Sequence, residues 1–315
     1  MLEGLQKIKK VGVGVNIGTT SVKFTEISQI ADEFVLEKAA LENFELNASS
    51  AQIQNKIKSF ISNFPISTKN INLSVSGPST LIRFITLPKM KKTELDLAVK
   101  FEAEKHIPFK LEEIILDYHL LSENSSSAYK ILIAVAKKDF IDQKIKFFEE
   151  IGLKISLIDL DGLATFNTFT LLESKENLAS AIIDIGAKYA DILFFCGTEL
   201  QFCRTIELIT KTPSGPDIES LILETLPTLS EDMRKSFSYY ENQCGENIKA
   251  CYITGGSAGI SGLKEKLSTL LETECKLWNP FDKIKKSPNF QDNFDYKKLG
   301  YHFAPSLGAA LRINK

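Results

Sequence analysis

Two stretches of this 315-residue sequence share one pattern about half a chain apart. Val11, Val13, Val15 and Ile17 alternate with small residues, the period-two signature of a buried strand. Gly18-Thr19-Thr20-Ser21 then reads as a tight polar turn, and Val22, Phe24 and Ile27 open a return strand. Ser180–Phe195 repeats the form, with Asp184-Ile185-Gly186-Ala187 standing where the first has Asn16-Ile17-Gly18-Thr19. Two like hairpins in two halves of a chain predict a duplicated α/β fold with facing turns. Turns rich in free N–H groups and hydroxyls can cradle an anion, and Lys23 lies just beyond the first. An ordinary Gly-rich hairpin gives the same pattern on its own, so the pairing carries the argument. A third loop, at Tyr252–Gly259, ends a strand in Gly255-Gly256-Ser257, where backbone can approach a nucleoside closely.

Charge and cysteine usage exclude several classes. Net charge is −2 and the pI about 6.1, so bulk charge gives no sign of nucleic-acid binding. No apolar run reaches the length of a membrane span and no signal-peptide core is present, so a cytoplasmic location is expected. The five cysteines form no Cys-x-x-Cys pair and the three histidines lie apart, which argues against a zinc site. Cys196 and Cys203 flank a Gly197-Thr198 turn and are candidates to face each other across it.

Between the repeats, the chain reads as further strands and helices. Leu2, Leu5 and Ile8 allow one or two turns of interfacial helix, though a frayed tail fits better. A helix is expected over Ser50–Phe60 and strands over Phe34–Phe44 and Asn70–Val75. A strand through Leu81–Leu87 precedes a helix over Thr93–His106, capped by Thr93 and stopped by Pro108. A polar loop at Glu123–Ala128 divides two more strands, and helices follow over Phe140–Ile151 and Gly162–Leu172. Two short helices are expected at Leu221–Leu226 and Met233–Tyr240, the second capped by Ser230.

The most specific run is Leu87-Pro88-Lys89-Met90, the Glu102-Ala103 helix before Ile107-Pro108-Phe109, and then Asp117-Tyr118. With Gly152–Thr165, Asp184–Ala187, Gly255-Gly256-Ser257, Trp278-Asn279-Pro280-Phe281 and Ala304–Arg312, it resembles the PilM family of type IV pilus assembly, within the actin-like ATPase superfamily. The likeness covers about residues 10–312. It implies an actin-like α/β fold of two duplicated halves. Residues 1–75 and 152–178 would form the first half (1A), and 76–151 an inserted 1C subdomain. Residues 179–210 and 245–315 would form the second half (2A), with 211–244 as a reduced 2B region.

The same resemblance implies a cleft for ATP and Mg²⁺ formed by Asn16, Gly18, Thr19, Thr20, Ser21, Lys23, Asp184, Gly186, Ala187, Gly255, Gly256 and Ser257. Asp184 would be the metal-side carboxylate, acting through water. Asp184 and Asp159 are the catalytic candidates, and Asp161 is a second choice for orienting a nucleophile. Two departures weaken that site. Asn16 is neutral where such proteins carry a carboxylate, and magnesium prefers charged oxygen. The Ile206–Ser230 stretch, including Lys211–Asp217, is short for a region that covers a nucleoside.

The expected function is a platform at the inner membrane that holds the cytoplasmic tail of a PilN-like membrane protein in the cleft between 1A and 1C, with a region in Leu81–Asp117 as its seat. ATP binding would be weak or regulatory, turnover at most a weak ATPase, and self-association is compatible. The alternative is an active ATPase or small-molecule kinase of the same superfamily. The sequence ends at Lys315 without a terminal amphipathic helix, so direct membrane insertion is not expected.

Overall fold

The computed structural model describes residues 9–122, 128–173, 176–208 and 218–313. The turn expected at Leu2–Ile8, the loop at 123–127 and the Lys211–Asp217 segment lie outside the described residues. Strands β1 (Lys10–Ile17), β2 (Ser21–Ile30) and β3 (Glu33–Asn43) form an antiparallel meander. After helix α1 (Ser50–Asn63), β4 (Asn70–Val75) returns parallel to β1. Ser49 and Gln52 cap α1 reciprocally, and its Ile57 and Phe60 pack on the sheet with Val15, Phe24 and Leu73.

The chain then leaves this sheet for a smaller one. It comprises β5 (Thr80–Pro88), helix α2 (Lys92–Glu104), β6 (Ile114–Ser122) and β7 (Ala128–Lys137), in the order β5-β7-β6. Leu95, Val99 and Ala103 form the buried stripe of α2, packed on Ile85, Ile131 and Ile133. Thr93 does not cap α2: the N-cap is Lys91, which makes no side-chain capping bond, and Thr93 lies inside the first turn. Helix α3 (Lys138–Glu149) leaves the small sheet and sets Phe148 into the core under β4 and α1. Strand β8 (Lys154–Leu160) then pairs parallel with β4, and α4 (Asp161–Leu172) crosses toward the second half.

The second half repeats the plan. β9 (Ala179–Ile185), β10 (Tyr189–Cys196) and β11 (Glu199–Glu207) form another antiparallel meander. Helix α5 (Ile218–Cys244), β12 (Ala250–Thr254), helix α6 (Leu263–Leu271) and β13 (Cys275–Leu277) follow. β14 (Lys285–Asp292) returns to the first sheet beside β3. The large sheets run β14-β3-β2-β1-β4-β8 and β11-β10-β9-β12-β13. Each holds a three-strand meander followed by two parallel strands, which is the duplication expected from the two hairpins.

The two short helices expected after residue 220 are one. α5 runs unbroken through Pro227, and Ser230 is not a cap: its Oγ donates to Pro227 O at 2.7 Å within the helix. Leu226, Leu229, Met233, Phe237 and Tyr240 hold that helix on the second sheet, and this apolar stripe outweighs the backbone bond that proline removes. Cys196 and Cys203 do not face each other, since Cys203 stands opposite Leu193 and Cys196 opposite Glu199.

Helix Ala304–Ala310 fills the space between β1 and α4. A Cβ at Gly14 would come within 1.9 Å of Ser306 O, and one at Gly308 within 2.0 Å of Ala164 O. The glycines of β1 therefore serve helix packing, while the Gly18 turn beyond them is left for the cleft.

Candidate functional site

The two hairpin turns have the same backbone geometry. Gly18 N–H donates to Ser21 O and Gly186 N–H to Tyr189 O, each at 2.9 Å. The third loop is pinned to the second hairpin: Ser257 N–H donates to Ile185 O at 2.9 Å and Ser257 Oγ to Gly186 O at 3.0 Å. Gly255 has φ +95, and a Cβ there would lie 2.3 Å from Asp184 Oδ1, so only glycine fits.

These turns converge on one cavity of about 250 Å³. Asn16, Gly18, Thr19, Thr20, Ser21, Lys23, Asp184, Gly186, Ala187, Gly255, Gly256 and Ser257 all line it. Asp161, at the first turn of α4, lines it as well. Asp159 does not: it accepts from Leu160 N–H and from Arg312 Nε, both at 2.9 Å, and acts as a buried brace for the end of β8.

The electrostatics are unequal on the two walls. Asn16 Nδ2 donates to Ser74 Oγ at 3.1 Å and Asp161 Oδ1 at 3.0 Å, while its Oδ1 accepts from Lys23 Nζ at 3.4 Å. Only one amide orientation serves an ammonium and a carboxylate together. Burial lowers the Lys23 pKa, opposed by the charges of Asp161 and Asp184. Burial raises Asp161, against hydrogen bonds from Ser76, Ser74 and Asn16. Across the cleft, burial and then the Asp161 charge push Asp184 up to about 6, although Thr165 Oγ1 donates to it at 3.0 Å. Burial also drives Asp191 to about 7, against a hydrogen bond from Thr205.

The ladder explains this inequality. Asn16 pairs with Lys23 across the first hairpin, and Asp184 pairs with Asp191 across the second. The repeats thus put an amide and an ammonium on one wall and two carboxylates on the other. Sequence reasoning missed Asp191, although the repeat itself aligns it with Lys23. It also missed Glu219, Lys188 and His302, which line the cavity from α5, the second turn and the 3-10 turn Gly300–Phe303 before helix Ala304–Ala310. Burial, with the Lys23 charge second, holds His302 down to about 3, so its ring is neutral.

A second cavity, a groove of about 390 Å³, adjoins the first and shares Ser76, Asp161, Tyr189 and Asp191 with it. Thr80–Arg83 of β5 form one side, and Cys203–Thr205 with Glu207 of β11 the other. Both are edge strands of their sheets, and on the β5 edge Ile82 O accepts from the Arg83 guanidinium at 2.9 Å. Pro108 and Phe109 line the groove as well.

A family model described as type IV pilus assembly protein PilM matches residues 14–208 and 213–314. The chain belongs to the PilM family. Among solved structures, a PilM-PilN type IV pilus biogenesis complex matches with a TM-score of 0.83 at 21% identity, over 96% of this chain and 99% of the other. A Bacteroides thetaiotaomicron protein described as having an actin-like ATPase fold and unknown function matches with a TM-score of 0.50 at 15% identity, over 89% and 95%. This PilM family member therefore has the actin-like fold that its sequence led one to expect. Among its described residues, no helix is long and apolar enough to cross a membrane.

The donor set of the PilM-family cleft is a poor match for magnesium. A divalent ion held by protein asks for several oxygen ligands, charged ones by preference. Among the described residues no three His, Cys, Asp or Glu side chains converge as a metal cage. The first hairpin offers an amide oxygen already facing an ammonium.

Proposed function

We propose that this chain is a platform of a type IV pilus or related secretion machine, seating the cytoplasmic tail of a PilN-like inner-membrane protein. It sits at the cytoplasmic side of that membrane through this partner. Family membership supports the machine, and the structurally similar PilM-PilN complex supports the partner. The observation that carries the seat is the groove between the open edges of β5 and β11. An extended peptide can pair its backbone with such an edge while alternate side chains enter pockets. The groove draws on Leu81–Arg83, Pro108 and Phe109 of the region expected from sequence, and the second half supplies its far side.

We assign residues 80–137 to the inserted subdomain, because α3 packs with the first half. The neighbouring cleft binds nucleotide weakly and turns it over slowly if at all. Its support is the convergence of two glycine turns, the hydroxyls of Thr19, Thr20, Ser21 and Ser257, and Lys23 on one cavity. An active ATPase or kinase has less in its favour, since Asp159 is occupied by Arg312.

The test is co-purification of the full chain with the tail of its membrane partner. An Arg83→Glu variant reverses the charge on the β5 side of the groove and should lose the tail while keeping its fold. Undiminished capture by that variant would reject the groove as the seat.

A further inference from the structure

Lys23 is only 7% exposed, yet its Nζ lies beneath the Gly18 turn, 3.2 Å from where a Cβ on that glycine would stand. Among the described residues, the one hydrogen bond it donates to a side chain, to Asn16 Oδ1, is long at 3.4 Å, with Asp161 and Asp184 near it as charges. A buried ammonium this loosely held is set to take a stronger acceptor. The amide of Asn16 meanwhile does what a carboxylate at that position could not. It donates to Asp161, a carboxylate that also takes hydrogen bonds from Ser76 and Ser74 and has the Lys23 charge close by.

We propose that this cleft binds the phosphate chain of a nucleotide without a divalent metal, the Lys23 ammonium serving as the fixed counter-charge. This rests on the nucleotide reading given above. A carboxylate at position 16 would face Asp161 across about the distance of the present hydrogen bond, and the pair would require a proton or a metal ion. With asparagine there, the wall is neutralised from within. A phosphate oxygen can then meet Lys23 and the hydroxyls of Thr19 and Thr20 on this wall without a bridging ion, while Asp184, Asp191 and Glu219 line the rest of the cavity.

The experiment is a calorimetric titration of the full chain with ATP, once in EDTA and once in excess Mg²⁺. The expected result is a Kd in EDTA within about threefold of that in Mg²⁺. Lys23→Met should weaken the EDTA binding at least about tenfold. Because that variant empties a buried charge site and could misfold, Asn16→Asp provides a second arm, and it should create a dependence on Mg²⁺ that the natural chain lacks. Binding by the natural chain that appears only with Mg²⁺ would overturn this inference while leaving the nucleotide reading in place. No binding under either condition would overturn both.

Discussion

Asn16 Nδ2 donates to Asp161 Oδ1 at 3.0 Å, and that bond ties the first hairpin to the first turn of α4. The two residues are far apart in sequence and come from different elements of one half. Their pairing settles which group stands at the polar position of the hairpin. An amide can donate to the carboxylate, whereas a second carboxylate would repel it.

Asn16→Asp should therefore destabilise the protein in the absence of metal. The expected loss is about 1–3 kcal/mol at pH 8, the cost of an unsatisfied and repelled buried group. Protonation of one carboxyl relieves the repulsion, so the loss should shrink at pH 5.5. Urea denaturation in EDTA at the two pH values measures both.

Asp191 makes a second pH prediction. Its carboxyl titrates at about 7 in the fold against an ordinary 3.8, so the folded chain holds the proton more tightly than the unfolded chain. The stability it contributes is present at low pH and is lost as pH rises from about 4 through about 7. Asp191→Asn keeps an acceptor for Thr205 and removes that loss. Melting temperature should rise at pH 8, equivalent to about 1–2 kcal/mol after allowing for solvent screening of a half-buried group, and change little at pH 4.5.

Asp159 should behave as a brace. Asp159→Ala removes the partner of Arg312 and should cost about 1–2 kcal/mol in chemical denaturation, Arg312 itself being half exposed. Its nucleotide affinity should equal that of the natural chain, since Asp159 does not line the cleft. A large affinity change with no stability change would return it to the site.

Much of this was legible in the sequence because the hairpins carry their own periodicity. Val11–Ile17 and Ala181–Ile185 alternate or run apolar, and the turns between strands are marked by Gly18 and Gly186. Hence all twelve expected cleft residues fall on one cavity. What failed was local punctuation read without tertiary context. Pro227 and Ser230 look like a helix stop and a new start, but Leu226, Leu229 and Met233 bury one continuous face. Glu219 went unseen as a cleft residue because nothing local marks which turn of α5 reaches the cavity. Gly12 and Gly14 carry no sign that helix Ala304–Ala310 lies on them, since that helix comes almost three hundred residues later.

Gly14 and Gly18 separate these two uses of glycine. Gly14→Ala drives a Cβ into Ser306 O and a backbone that cannot move, so it should cost about 2 kcal/mol or more. Gly18→Ala meets the tip of the Lys23 side chain at 3.2 Å and Ser21 O at 3.6 Å, no backbone clash, and should leave stability nearly unchanged. Thermal melts of the two variants, side by side, make the comparison.

The seat of the partner's tail is the centre of the account, and hydrogen–deuterium exchange tests it most directly. The full chain is compared with and without a saturating synthetic peptide of the membrane partner's cytoplasmic tail. Added protection is predicted on the edge strands β5 and β11, at 80–83 and 203–207, and at Phe109. Protection that appears instead on the outer faces of α2 or α5, with those edges unchanged, would contradict it.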